Sequence, residues 1–431
     1  MTLALTPEEE QMLSGKYGPG VRKSMEFLVK LGEVFDAEKM VEISSSHLIP
    51  FEIMSASKPG RSPGKWIDDL FSQFTEGIDS FRVPTTVNPA IVNPLQSVEL
   101  GFGRLDLDPT ENVVNRMEVY SKLGVIPAYT CCPFMVYTPR KGEHLGGAES
   151  VAVLFNNSFF GSLVNRESGP SALAAAVTGR VPDFGMHIFE NRSGRFLVEI
   201  GKDVDPRKFT YADYNALAYY VGEEARELIP IYSGLPRNMS IAQIKYVCAP
   251  LGVSAGLPMC HIVGVTPEAP TLEAALMGGK PEMEMEFGKR DLAKAYSRLT
   301  TANTDGVDAV TLGCPHATLQ EVKECALMLS GRKISANVTF WLATVETVRV
   351  LAERMGLVKA IEQAGGHVLS DMCSHAYIYC RGGYARKHGI RNVATNSAKA
   401  AHYINSLSVA KTWFGSMTKC VDAAVSGRWE Q

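Results

Sequence analysis

Beyond about residue 240, short apolar runs alternate with longer runs of helical period. The apolar runs at 307–312, 335–341 and 367–370 have the composition of buried strands, and amphipathic runs at 319–329 and 345–355 separate them. Parallel neighbouring strands need a crossover connection, whereas antiparallel neighbours need only a short turn. The alternation therefore predicts a parallel sheet with helical crossovers.

The N-terminal half is less regular, with helix and strand signals separated by polar loops. Residues 6–10, a Thr followed by Pro and three Glu, have the chemistry of a helix start. Residues 169–171, Gly-Pro-Ser, open a run of small residues that predicts a closely packed helix. The runs at 41–43 and 123–131 predict strands, the first followed by polar residues and the second ending at a cysteine.

The length of the chain indicates more than one domain. A chain of 431 residues is too long for a single compact core, so we expect two or three domains. We divide it into an N-terminal α/β region, residues 1–235, and a C-terminal α/β region, residues 236–431. No long flexible linker marks this boundary.

Charge and hydropathy exclude two classes of partner. The net charge is −3 and no basic run is present, which argues against nucleic acid as a partner. The longest apolar runs are far too short to span a membrane, and the polar, acidic N-terminus is not a secretory signal. We therefore expect a cytoplasmic protein with no membrane partner.

Three of the nine cysteines share one local setting. Cys131, Cys314 and Cys373 each follow a predicted strand, and the carboxyl ends of strands form the ligand crevice of open α/β sheets. Converging thiolates suit an iron–sulfur cluster or zinc, and three ligands would leave one iron open as a Lewis acid. Cys132 remains an alternative to its neighbour, and buried inert cysteines are common. The others are interpreted as core residues or left unassigned: Cys248, Cys260, Cys325, Cys380 and Cys420.

Several longer motifs carry a resemblance to a known family. They are YTCCPF (129–134), NRESGPSALAAAVTGR (165–180), GCPH (313–316), SDMC (370–373) and ATNSAKAAHY (394–403). Together they resemble the large subunit of the aconitase X family over nearly the whole chain. The resemblance implies a multi-domain, aconitase-like, three-layer α/β/α fold with largely parallel sheets and a cluster in the inter-domain cleft.

The same resemblance implies a function. It implies a hydro-lyase whose iron–sulfur cluster, 2Fe-2S, 3Fe-4S or 4Fe-4S, is held by Cys131, Cys314 and Cys373. It also implies a separate small subunit that carries the swivelling domain and supplies the base, since no segment here matches that domain. The family's substrates are cis-3-hydroxy-L-proline in bacteria and mevalonate 5-phosphate in archaea.

We expect the hydroxyproline reaction, because the composition is not the Lys/Glu-rich one of a heat-adapted archaeal protein. Mevalonate 5-phosphate remains the alternative. A mononuclear-metal lyase and a non-catalytic subunit on the same fold are also open.

The matched motifs supply candidate substrate-binding residues. Asn165 and Arg166 precede a helix start, where backbone amides and the dipole favour an anion, and Arg166 can bind a carboxylate through two hydrogen bonds. Asn396 and Ser397 have the chemistry of N-caps. Lys399 then falls in the first helical turn, which the macrodipole disfavours, so we expect it to bind an anion.

Further candidates lie at other strand and helix ends. His47 and Glu149 are the candidates in this chain for proton transfer, although a structural role is equally consistent with the sequence. The remaining substrate-binding candidates are Ser46, Thr85, Thr86 and Ser150. His144, His316 and His375 lie near the predicted ligands and are candidates for orienting them.

Overall fold

A computed structural model describes residues 3–50, 65–91, 93, 96, 117–379 and 384–430. The strands, numbered in chain order, are β1 Met40–Glu42, β2 Ser45–Leu48, β3 Thr85–Val87, β4 Val125–Tyr129, β5 Leu145–Gly147, β6 Arg180–Pro182, β7 Phe196–Ile200, β8 Pro230–Ser233, β9 His261–Ile262, β10 Met283–Phe287, β11 Ala309–Ala317, β12 Thr339–Thr344, β13 His367–Ser370, β14 Asn392–Thr395 and β15 Lys411–Phe414. The helices are Pro7–Leu13, Pro19–Val34, Lys65–Thr75, Ser150–Phe155, Gly169–Thr178, Tyr211–Glu224, Ile241–Ser254, Leu272–Ala275, Lys289–Leu299, Leu319–Leu329, Glu346–Arg354, Leu357–Ala364, Ala376–Tyr379, Tyr384–Lys387, Ala398–Leu407 and Met417–Ser426.

Three parallel sheets organise these elements. The first has the order β4-β3-β2-β5, the second β10-β7-β8-β9 and the third β13-β12-β11-β14-β15. A two-stranded antiparallel pair, β1 with β6, is separate from them. The prediction of an α/β fold with largely parallel sheets is confirmed. Residue 235 lies between β8 and the next helix, inside the span of the second sheet, and the division there stays a prediction.

Local sequence signals explain where most helices begin. Thr6 and Glu9 form a reciprocal capping box, as do Thr318 and Glu321 at the helix Leu319–Leu329. That helix and strand β13 have the predicted bounds. The α-helix Ser150–Phe155 continues as a π-helix, Asn156–Phe160.

The third sheet contains one interruption that shapes the molecule. Leu312 pairs with Leu342 of β12, and the next paired residues are Ala317 and Thr344. Between these two pairs β11 advances by five residues, whereas β12 advances by only two. Residues 313–316 therefore leave the ladder. Gly313 has φ +80°, and a Cβ there would overlap the carbonyl oxygen of Ala343, so only glycine fits.

The cores follow the sheets. The helix Gly169–Thr178, built of small residues, is almost fully buried and packs on the helix Pro19–Val34, as its composition predicts. Over the described ranges, no helix is long and apolar enough to cross a membrane.

Candidate functional site

A cavity of about 300 Å³ lies where the carboxyl ends of strands from the first and third sheets meet. Cys131 follows β4, Cys314 lies in the interruption of β11, and Cys373 follows β13. All three thiols line this cavity, although long stretches of chain separate them. The structure thus brings the three predicted ligands together.

Cys131 and its neighbour Cys132 have different surroundings. The backbone N–H of His316 donates to Sγ of Cys131, with N and S 3.3 Å apart. Cys132 is fully buried in the hydrophobic core and does not line the cavity. Burial and the adjacent Cys131 raise the pKa of the Cys132 thiol well above its usual value. The geometry therefore favours Cys131 over Cys132 as a ligand.

The His316 ring connects two of the cysteine segments. Nε2 donates to the carbonyl of Met372, which precedes Cys373, and Nδ1 lies 3.0 Å from the hydroxyl of Thr130, which precedes Cys131. A carbonyl only accepts, so Nε2 carries the hydrogen and Nδ1 accepts from Thr130. Burial lowers the pKa of His316 to about 4, so the ring is neutral near pH 7.

The segment before Cys373 is attached to the first sheet. The Asp371 carboxylate accepts from the N–H of Tyr129 at the end of β4, at 3.1 Å, and the N–H of Cys373 donates to the carbonyl of Ala90 at 2.8 Å. Burial raises the pKa of Asp371 to about 7 and also raises that of the Cys373 thiol. The His375 ring lies 3.6 Å from the Cys373 sulfur and lines the cavity.

Glu149 and Lys399, predicted separately, face each other in the cavity wall. Lys399 Nζ lies 2.5 Å from Glu149 Oε1 and donates to the Ser150 hydroxyl at 3.1 Å. Desolvation alone would raise the pKa of Glu149, but the Lys399 ammonium outweighs it and the pKa is lowered. Desolvation likewise works against the charge of Lys399, and attraction to Glu149 raises its pKa overall. Both groups are therefore charged, and Lys399 already holds an anion, the Glu149 carboxylate.

Arg166 lines the cavity and is exposed. It makes no ion pair or hydrogen bond with any residue that the structure describes. The adjacent Glu167 is oriented differently: both carboxylate oxygens are buried without a hydrogen-bond partner among the described residues. The Ser171 hydroxyl is near enough to lower the pKa somewhat, but desolvation dominates and raises the pKa of Glu167 to about 7. Arg166 is thus free to bind an anion.

His47 lies beside the cavity without lining it. Its Nδ1 is 2.8 Å from the Thr86 hydroxyl, and its Nε2 is buried without a partner in the described structure. Burial lowers the pKa of His47 to about 4, against the opposing effects of Glu149 and Asn88. The sequence-based role in proton transfer stays a prediction.

Six other substrate-binding candidates do not line the cavity, and each uses its side chain within the fold, as Thr86 does with His47. His144 does not line it either and lies beside His187. Ser46 donates to the Ala172 carbonyl, Thr85 to the Val83 carbonyl, and Asn165 bonds the backbone of Phe184 and Met186. Ser397, not Asn396, is the N-cap of the helix Ala398–Leu407. The Asn396 amide group is buried near Tyr246, and its oxygen has no partner within the described ranges.

The sequence-based reasoning passed over several residues of the site. Tyr403 lines the cavity but carried no special signal, since it lies in a helix. Lys245 was also missed because a lysine within a helical pattern normally faces solvent. Its side chain is fully buried.

No described group of three His, Cys, Asp or Glu residues lies close enough together to hold one metal ion. Cysteine sulfurs that hold an iron–sulfur cluster bind different irons and are spread more widely. Sulfur is the donor that such clusters prefer, and the N–H donated to Cys131 suits a thiolate. The residues present therefore fit a cluster better than a single ion.

Three successive parts of the chain match models of one protein family. Residues 2–190 match the description "Aconitase X first domain", residues 194–297 "Aconitase X second domain" and residues 307–426 "Aconitase X third domain".

Curated relatives and a solved structure agree with this match. The chain is 34% identical over 414 residues to the phosphomevalonate dehydratase large subunit of Methanocaldococcus jannaschii, covering 95% of this chain and 97% of the relative. It is 30% identical over 423 residues to the cis-3-hydroxy-L-proline dehydratase of Pseudomonas aeruginosa, covering 97% of this chain and 70% of the relative. The crystal structure of holo-form aconitase X from Thermococcus kodakaraensis is similar with a TM-score of 0.83 at 28% identity, covering 98% of this chain and all of the other.

Proposed function

The chain belongs to the aconitase X family and is a hydro-lyase, and on that premise we propose that it is the large subunit of an iron–sulfur dehydratase acting on cis-3-hydroxy-L-proline. The product is a pyrroline-2-carboxylate. One observation carries the proposal: the free thiols of Cys131, Cys314 and Cys373 line a single cavity.

Those three residues would hold the cluster. When bound, it supplies a Lewis acid for the leaving hydroxyl group. Charge interactions with Cys131 and Cys314 contribute, after that with Glu149, to the raised pKa of the nearby Lys399 ammonium. A mononuclear site is less well supported, since the described residues offer no group suited to one ion.

The charges of the cavity wall suit a zwitterion. Arg166 provides a guanidinium that no described residue pairs with, and it can bind the substrate carboxylate. The buried pair of Lys399 with Glu149 presents a cation and an anion side by side. Hydroxyproline carries one carboxylate and one secondary ammonium. Both charges find opposite charges in the cavity wall, and no anionic group of the substrate is left without a cation.

The base is proposed to come from a partner, the small swivelling-domain subunit. Glu149 is a weak base because its pKa is lowered and its oxygens accept from Lys399 and the Ala152 amide. Both ring nitrogens of His316 are bonded. Relatives named as large subunits support a heteromer in which the second chain completes the site.

The free cysteine thiols also bear on the cellular compartment in which the protein works. The eight cysteines that the structure describes are free, whereas Cys380 lies outside the described residues. Free thiols persist in reducing compartments, which favours the cytoplasm.

Mevalonate 5-phosphate is the second candidate substrate. It is favoured by the 34% identity to the M. jannaschii phosphomevalonate dehydratase large subunit, against 30% to the P. aeruginosa hydroxyproline enzyme. Its phosphate and carboxylate would require more cationic groups than Arg166 and Lys399, which are the arginine and the lysine that line the described part of the cavity.

The test combines spectroscopy with a substrate comparison. The chain is co-expressed with its small subunit, reconstituted anaerobically with iron and sulfide, and assayed on both substrates by mass spectrometry for loss of water. We expect visible absorption and dehydration of cis-3-hydroxy-L-proline alone. Cys314→Ser should abolish both, whereas Cys325→Ser, a core cysteine in the helix Leu319–Leu329, should retain both.

A colourless wild-type protein would refute the cluster. Turnover of mevalonate 5-phosphate instead of hydroxyproline would refute the substrate assignment while leaving the cluster intact.

A further inference from the structure

Lys245 is a fully buried lysine that does not line the cavity and has no part in the proposed chemistry. It lies in the helix Ile241–Ser254, and its ammonium faces the interruption of β11. Its Nζ lies 2.7 Å from the Glu321 carboxylate, 2.7 Å from the His316 carbonyl oxygen and 3.2 Å from that of Pro315. Each of its three N–H donors thus has an acceptor.

The position of this ammonium is itself fixed. Glu321 accepts from the N–H and the hydroxyl of Thr318, both at 2.8 Å, and from the Tyr246 hydroxyl at 2.7 Å. A buried charge is costly unless it is paired and fully hydrogen-bonded, and both members of this pair meet that condition. Lys245 is therefore a rigid anchor for residues 315 and 316.

The anchor acts on Cys131 through one peptide group. The Pro315 carbonyl and the His316 N–H belong to the same trans peptide plane and point in opposite directions. Lys245 binds the carbonyl on one side, and the N–H donates to the Cys131 sulfur on the other. The orientation of this peptide group therefore determines where the donor for Cys131 lies.

We infer that Lys245 is a positioning residue, whose hydrogen bonds to the 315–316 segment hold Cys314 and Cys131 in the mutual arrangement that receives the inorganic group. The inference rests on the proposed function for the identity of that group. It concerns an arrangement that exists in the protein before the group binds, and this separates its test from the test of the function.

The decisive variant is Lys245→Met combined with Glu321→Gln. It removes both charges together, so no buried charge is left unpaired, and the introduced amide oxygen remains an acceptor for the Thr318 N–H. Tyr246→Phe is the control, because it removes one hydrogen bond to Glu321 but keeps the ion pair and the bonds of Lys245 to both carbonyls.

Native-state hydrogen exchange is measured on the cluster-free protein by mass spectrometry. In the double variant we expect the amides of Gly313, Cys314 and His316 to exchange at least tenfold faster, with the helix Pro19–Val34 unchanged. The control should exchange as wild type does in both segments. Unchanged exchange at 313–316, or equal acceleration in both segments, would show that Lys245 serves general stability and would overturn the inference.

Retention of the reconstituted group gives a second readout. We expect visible absorption to be lost to a chelator tenfold or more faster in the double variant than in the control, as is typical when groups that orient ligands are removed. Equal rates of loss would contradict the inference. If wild-type protein takes up no iron, the proposed function fails, and the exchange experiment still decides the role of Lys245.

Discussion

The ammonium of Lys399 lies 2.5 Å from the carboxylate of Glu149, although the two residues are 250 positions apart in the chain. Their side chains are 12% and 5% exposed, so each charge is maintained in a poorly solvated place by the other. The pair connects the N-cap of the helix Ser150–Phe155 with the first turn of the helix Ala398–Leu407. It is both a cross-link between distant segments and part of the cavity wall.

Removing the cation of this pair should be costly. Lys399→Met leaves the Glu149 carboxylate buried without its ion partner, and we expect the free energy of unfolding to fall by about 3 kcal/mol. Urea denaturation of wild type and variant at pH 7 measures the difference. Lys294→Met is the control, because the Lys294–Asp291 pair has a 42% exposed lysine and its loss should change the stability little. Equal losses in the free energy of unfolding would show that the buried Glu149–Lys399 pair contributes no more to stability than an exposed pair does.

Glu167 should make stability depend on pH in a defined direction. Its pKa is raised from 4.5 to about 7, so between these values the folded protein binds more protons than the unfolded chain. Stability contributed by this group is therefore present at low pH and lost as the pH rises toward 7. Glu167→Gln mimics the protonated form, and at pH 8 we expect it to be more stable than wild type by up to about 3 kcal/mol.

The difference in stability between Glu167→Gln and wild type should vanish below about pH 4.5, where Glu167 is protonated in both the folded and the unfolded state. Thermal unfolding at pH 4.5 and pH 8 measures it. Glu284→Gln, at an exposed position on β10, should follow wild type at both pH values. If Glu167→Gln is less stable than wild type at pH 8, the conclusion that the Glu167 carboxylate is buried without a partner among the described residues is wrong.

The two adjacent cysteines should respond differently to the same substitution. Cys131→Ala removes a cavity-lining sulfur, and we expect loss of the visible absorption after reconstitution with iron and sulfide. Cys132→Ala removes a core sulfur, and we expect the absorption to persist with a loss of about 1–2 kcal/mol in stability. Absorption retained in the first variant and lost in the second would assign the ligand to Cys132.

Glycine at position 313 should be irreplaceable. An added methyl group meets the Ala343 carbonyl in a backbone conformation that alanine disfavours, so Gly313→Ala should destabilise the protein by at least about 3 kcal/mol. Gly331 has a similar φ of +72° and open space around it, so Gly331→Ala should cost about 1 kcal/mol. Denaturant midpoints compare the two, and similar losses would show that backbone strain, not the contact with Ala343, limits position 313.

The sequence predicted what local patterns encode. The helix Leu319–Leu329 and strand β13 follow from apolar spacing. Cys131 and Cys373 follow strands as the pattern predicted, whereas Cys314 lies inside β11, which continues to Ala317. The interruption after Leu312 was not predicted, since the tight contact of Gly313 comes from Ala343 on a neighbouring strand. No local pattern reports which distant residue a side chain will meet.

Lys399 illustrates this limit. Its unfavourable place in a first helical turn was recognised, but its partner was taken to be a substrate anion rather than Glu149. The buried role of Lys245 was likewise invisible, because its acceptors are backbone carbonyls of another segment.

The scattering of the three sulfurs along the chain has a consequence for biosynthesis. Cys131 is translated well before Cys314, and Cys373 is the last of the three to be made. A group that requires all three sulfurs, as the proposed cluster does, can be loaded only after Cys373 has been translated. Nascent chains that stall before that residue would therefore hold no such group, so translation itself sets the earliest moment of loading.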